Sequence, residues 1–214
     1  MEICVDLNKV SMKDFYVYLE TRKMFPSHKI LERDNKKYLE IFEDLGFKTV
    51  DKLFKAISSK KKCEDFSVKH KIDFEYITIL RRHIGGFIVK PRLLSEFSLL
   101  DDSIIELLSK KGIKNTKDLR SKIQELAIPK EHFAYLNSIL ELTKLRYVAG
   151  KYTDGLFLSG YETIDKIAVS NPQTMNTKLN ETMRTYNIAN VNLGISDSEF
   201  LISDAKLFIK WFRG

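Results

Sequence analysis

The residues best suited to chemistry lie in a few basic clusters. Arg22, Lys23 and Lys29 flank Pro26, Lys60-Lys61-Lys62 form an unbroken run, and Arg81 and Arg82 are adjacent. Grouped permanent cations make and break no bonds. They neutralise polyanions, and a nucleic-acid backbone that meets them releases its condensed counterions. Tyr16, Tyr18, Phe25 and Tyr76 lie near these charges. Aromatic rings there can stack on bases, although their helical spacing equally fits a buried stripe. The competing account of all these clusters is a solvated basic face, with one of the paired arginines laying its stem on the core.

Catalytic chemistry has little support. His28, His70, His83 and His132 are scattered without zinc-ligand spacing, and no serine or cysteine sits in a nucleophile motif. No glycine pattern of a nucleotide-binding loop is present. Cys4 and Cys63 make no disulfide framework, which points to a reduced, intracellular setting. The N-terminus lacks a basic start followed by an apolar core, and no apolar run approaches the ~18 residues of a membrane span, so the expectation is a soluble cytoplasmic protein. The chain therefore reads as a binding protein and not an enzyme, with no cofactor and no metal. Nucleic acid stands slightly ahead of a protein partner. The second reading rests on Phe208-Ile209-Lys210-Trp211-Phe212-Arg213-Gly214, which carries more aromatic surface than one helix face needs to bury. Trp211 would make that contact, against a competing role in closing the core.

Net charge agrees with the first reading. The formal charge is +7, with 19 basic against 14 acidic residues up to Lys90 and 17 against 15 beyond it. The basic excess leans to the N-terminal half and favours polyanionic partners.

The elements that position these residues are helices. Nine Gly and four Pro in 214 residues are too few for a turn-rich β protein. One pattern recurs three times, at Gly46-Phe47-Lys48-Thr49, Gly112-Ile113-Lys114-Asn115 and Gly160-Tyr161-Glu162-Thr163, each followed by Leu or Ile seven positions after the glycine. The glycine ends one helix in a left-handed conformation, the apolar residue folds back on it, and Thr49, Asn115 or Thr163 caps the next helix. Further helix starts are expected at Ser11, Ser27, Asp73 and Asn171-Pro172, and at Ser196 with Glu199 as a capping box. The stripe from Pro129 to about Val148 reads as the longest helix. Periodicity is lost from Phe87 to Leu100, where Lys90-Pro91 imposes extended backbone. Two all-α subdomains follow, residues 1–88 and 89–214, each built of tandem helix-hairpin-helix (SAM-like) units packed together.

Four segments, taken in order, carry a resemblance: Leu19-Glu20-Thr21-Arg22-Lys23-Met24-Phe25-Pro26-Ser27, Ile79-Leu80-Arg81-Arg82, Lys90-Pro91 leading to Phe97, and Gly112-Ile113-Lys114-Asn115-Thr116. Together they resemble a largely uncharacterised bacterial family of domains of unknown function, related to tandem helix-hairpin-helix domains. The resemblance runs over most of the chain. It implies stacked helical hairpins and non-specific binding of nucleic-acid backbone, and it implies no reaction. Hairpins that hold phosphate in the wider group use an apolar-x-Gly-apolar-Gly turn. Here the turn before the central repeat, Phe97-Ser98-Leu99-Leu100-Asp101-Asp102, lacks both glycines and carries two acids. The turn before the third, Arg146 to Tyr152, keeps Gly150 and adds Arg146 and Lys151, so by that pattern Gly150 and Lys151 are the better candidates for a hairpin contact with phosphate. The three Gly-apolar-x-Thr/Asn turns are accordingly read as structural.

Overall fold

Short polar side chains start most helices of this protein, whose computed structural model describes residues 6–22, 24–126 and 128–212. Ser11 accepts the Asp14 N–H at 3.0 Å and opens α1 (Met12–Thr21). After it the chain forms a short 3₁₀ helix, Pro26–Glu32, which starts at Pro26 without a side-chain cap, so Ser27 lies inside it and does not cap it. α2 (Asn35–Asp44), α3 (Val50–Ala56), α4 (Lys60–His70) and α5 (Phe74–Gly85) follow. Ser59 caps α4 and Asp73 caps α5. These elements belong to a compact unit that ends at Ile88. Its core includes Phe15, Leu31, Leu53, Ile57, Ile77, Leu80 and Ile84.

A second compact unit starts at Val89. It contains α6 (Asp102–Lys110), α7 (Thr116–Lys122), α8 (Lys130–Leu142), α9 (Lys151–Leu158), α10 (Ile164–Ala168), α11 (Pro172–Thr185) and α12 (Ile195–Phe212). Asp101, Asn115, Thr163 and Asn171 cap α6, α7, α10 and α11 through their side chains. α8 serves two apolar clusters: Leu136 and Ile139 join Leu108, Ile113 and Leu119, whereas Leu142 joins Leu156, Ile164, Leu179 and Ala205. The fold is all-α. Among the described residues no helix is long and apolar enough to cross a membrane.

All three glycine turns have the same geometry. Gly46, Gly112 and Gly160 sit at φ +78°, +72° and +81°. In each, the glycine N–H returns to a carbonyl three residues back and the next N–H to a carbonyl five back: Gly46 to Glu43 and Phe47 to Phe42, Gly112 to Ser109 and Ile113 to Leu108, Gly160 to Phe157 and Tyr161 to Leu156, all between 2.8 and 3.0 Å. This double bond pattern satisfies carbonyls that the ending helix leaves open. Lys71 (φ 54°) and Asn187 (φ 48°) also take left-handed conformations, and Ile72 and Ile188 make the same five-residue return at the ends of α4 and α11.

A second regularity lies beyond the glycines. In each turn the carbonyl two residues after the glycine and the N–H four residues after it point away from both helices and need partners. At the first turn, Met12 N donates to Lys48 O and Val50 N to Val10 O, at 3.2 and 3.0 Å. At the second, Leu94 N donates to Lys114 O and Thr116 N to Arg92 O, at 3.0 and 2.8 Å. At the third, two side chains of α8 replace the extended segment: Ser138 Oγ donates to Glu162 O at 2.8 Å, and Glu141 accepts the Ile164 N–H at 3.1 Å.

Four expectations are corrected. Thr49 does not cap α3. Its hydroxyl is buried without a hydrogen-bond partner among the described residues. α8 stops at Leu142, where Thr143 Oγ1 turns back to the Ile139 carbonyl at 2.6 Å and Tyr147 takes φ 66°. α12, with 18 residues, is longer. It begins at Ile195, and Asp197, not Glu199, reaches back to the Gly194 N–H at 2.8 Å.

A Cβ at Gly112 would meet only the end of the Lys122 side chain, so Gly112→Ala is expected to cost the left-handed backbone alone, about 1–2 kcal/mol. Gly150 differs: it holds φ 48° and ψ −129°, and a Cβ there would lie 3.0 Å from the Glu96 carbonyl oxygen. Gly150→Ala should cost about 3 kcal/mol or more, since strain and a backbone clash add. Urea denaturation of the two variants checks the difference.

Candidate nucleic-acid interface

α4 is a surface helix that buries only Cys63 and Phe66 among its eleven residues. Its first turn holds Lys60, Lys61 and Lys62 and no acid. This reverses the usual pattern, because the N-terminus of a helix carries partial positive charge and favours carboxylates. Ser59 supplies the cap, accepting the Lys62 N–H at 3.2 Å. Lys62 Nζ donates to the Lys55 carbonyl and to Ser58 Oγ, at 3.2 and 3.1 Å, which holds it over the end of α3. Lys60 lies 3.9 Å from Glu64, a distance at which pairing is weak. Lys61 is exposed.

α5 packs beside α4 with its C-terminal turn at the lysine end. The contact that sets this is Arg81, half-buried, whose guanidinium charge lies beside the fully buried Cys63. Burial pushes the Cys63 thiol up, and Arg81 opposes that shift without reversing it. The thiol therefore stays protonated at neutral pH and donates to the Ile57 carbonyl at 3.2 Å. Among the described residues Arg81 Nε is itself buried without a hydrogen-bond partner. Arg82, the next residue, is exposed. The structure thus brings Lys61 and Arg82 to one end of the α4–α5 pair and turns Arg81 inward.

No protein-family model, curated protein or solved structure matches this chain. The assignment of its residues therefore rests on their own geometry.

The other sequence-selected cations divide by burial. Arg22 is 8% exposed and lies over the Tyr18 ring at 5.4 Å, so it belongs to the interior of the N-terminal unit and not to a phosphate-facing surface. Lys23 lies outside the described residues. Tyr18 and Tyr76 are core residues: Tyr18 bonds His83 Nε2 at 2.7 Å, His83 reaches His28 between Nδ1 atoms at 3.1 Å, and Tyr76 donates to Asn35 at 2.8 Å. Burial, ahead of nearby carboxylates and Tyr38, raises the Tyr76 phenol well above its usual range.

The Gly150 turn of the C-terminal unit is also internal. Gly150 is buried against the Glu96 carbonyl, an acceptor that disfavours a phosphate. Arg146 is 4% exposed and pairs with buried Asp204, its Nε 3.0 and 3.1 Å from the two carboxylate oxygens and its backbone N–H 3.2 Å from one of them. Four residues after Gly150, fully buried Asp154 accepts from Ser98 N at 2.8 Å, Ser98 Oγ at 2.6 Å and the Tyr135 hydroxyl. Of the cations in this turn, Lys151 remains exposed. Asp101 and Asp102 start α6, and hydrogen bonds from Ser103 and the Ile104 N–H hold the Asp101 carboxyl below its usual range. Trp211 is half-buried on α12. Among the described residues no cluster of three or more His, Cys, Asp or Glu could hold a metal ion.

The buried acids were not singled out by sequence. Asp154 carried a signal, an acid inside an apolar helical stripe. Arg146 and Asp204 are 58 positions apart and carried none. Arg81→Ala should cost about 1–2 kcal/mol from lost packing, whereas Arg82→Ala should stay within about 0.5 kcal/mol, as measured by thermal unfolding. Asp204→Ala should cost about 3–5 kcal/mol by leaving a buried guanidinium without its carboxylate.

Proposed function

We propose that this protein binds the phosphate backbone of nucleic acid without sequence specificity, through the lysine end of α4 and the adjoining end of α5. The observation that carries this reading is the first turn of α4. Three lysines stand at the positive end of a helix, where their charge opposes the dipole, and Arg82 stands on the neighbouring helix end. An anion placed there would relieve the repulsion, meet the helix dipole favourably and displace counterions from the polyanion. The resemblance to tandem helix-hairpin-helix domains supports the same class of ligand. The contact differs from the hairpin mode of that group, because the glycine turns are closed by their own backbone bonds and Gly150 is buried. Of the residues selected from sequence, Lys61 and Arg82 neutralise phosphates. Lys151 is exposed on the C-terminal unit.

Fluorescence anisotropy with a short labelled duplex, repeated across a salt series, tests the proposal. Wild-type protein should bind at micromolar or lower concentration, with affinity falling steeply as salt rises. The double variant Lys61→Glu, Arg82→Glu should lose at least about tenfold in affinity and reduce the salt slope by about two. Lys117→Glu, on α7 of the other unit, should change little. Absence of binding at low salt overturns the proposal.

A further inference from the structure

A groove on the α3–α4 face holds about 350 Å³. α4 lines one wall with Lys62, Asp65, Phe66, Lys69 and His70, whose spacing of three, four, seven and eight residues puts them on a single face. Phe47, just after the first glycine turn, and Ala56, at the end of α3, form the other wall. Phe66 is the floor, 7% exposed, with the half-exposed rings of Phe47 and His70 centred 5.9 and 4.5 Å from it.

The rim is basic. Lys62 uses two of its three N–H groups to grip the end of α3, so its ammonium is held in place with one donor to spare. Lys69 provides a second cation against the single carboxylate of Asp65. Burial, then the charge of Lys69, lowers the His70 pKa, so the ring facing the groove is a neutral imidazole at pH 7. An aromatic, half-apolar cleft bordered by lysines is complementary to a flat heterocycle that carries phosphate.

We propose that this groove receives one unpaired base of a single-stranded nucleic acid, stacked on Phe47 and His70 with the adjoining phosphates on Lys62 and Lys69. The inference rests on the backbone-binding reading and deepens it: single strands become the preferred substrate, because a duplex keeps its bases stacked inside. Lys60 to Lys62 form the first turn of the same helix, so a strand leaving the groove meets the phosphate-binding end of α4 directly.

The test compares three labelled ligands of equal length, oligo-dT, an abasic single strand and a duplex, against wild type, His70→Ala and Phe47→Leu, with folding of each variant checked by its melting curve. Wild type should bind oligo-dT about five- to tenfold more tightly than the abasic strand. Both variants should bring that ratio close to one while leaving affinity for the abasic strand unchanged. Equal binding of oligo-dT and abasic strand by wild type overturns the groove and leaves backbone binding standing. A ratio that survives in both variants places the base elsewhere and also overturns it. No binding of any ligand at low salt overturns the groove and the backbone reading together.

Discussion

Each of the three glycine-ended hairpins leaves two backbone groups at its turn that neither helix can satisfy, and much of the architecture follows from pairing them. A buried N–H or C=O without a partner costs about 1–3 kcal/mol, a large share of the stability of a small domain. At the Gly46 turn the partners are the backbone of Val10 and Met12, which places the start of α1 across the hairpin. At the Gly112 turn Arg92 and Leu94 do the same in the other unit. At the Gly160 turn no extended segment precedes the hairpin, and Ser138 and Glu141 of α8 substitute. One requirement is met twice by main chain and once by side chains, and in each case it fixes what lies against the turn.

The buried polar contacts have a related role. Arg146 and Asp204 join the loop after α8 to α12, and Asp154 ties α9 to Ser98 and to Tyr135 of α8. Such groups are costly to desolvate and add little net stability relative to apolar replacements, but each is satisfied only in one arrangement of its helices. In the N-terminal unit, Arg22 over Tyr18 and Arg81 beside Cys63 draw two cations inward in the same way. The surface therefore presents fewer cations than the sequence counts.

Four of the cations that remain outside, Lys60, Lys61, Lys62 and Lys69, stand on α4. The helix is held by two buried side chains, a serine cap and the grip of Lys62 on α3, and its other residues are free to carry charge. Lysines in the first turn weaken a helix slightly through the dipole, a cost of a few tenths of a kcal/mol that packing of Cys63 and Phe66 offsets. The same helix presents aromatic rings on one face and cations at one end. These are the two kinds of contact that a flexible polyanion with flat bases uses.

Local pattern was enough to read the glycine-ended turns and several helix starts, but not the end of α8 or the start of α12. Gly46, Gly112 and Gly160 announced helix ends because few other residues take positive φ at low cost, and Ser11, Asp73 and Asn171 announced helix starts because their side chains reach only the next turn. Lys71 and Asn187 end helices in the same way and escaped notice, since their left-handed backbone is imposed by packing of the following Ile72 and Ile188. The direction taken by each charged side chain was not legible. Arg81 and Arg82 are neighbours in sequence and opposite in fate, because helical rotation turns one toward Cys63 and the other to solvent. Arg146 resembled a phosphate ligand until Asp204 closed on it from 58 residues away. Residue type and spacing within a few turns therefore determine secondary structure, whose hydrogen bonds are local. Only the tertiary structure decides which cations are buried, which are displayed and which rings line a groove, because those outcomes depend on partners that no local pattern records.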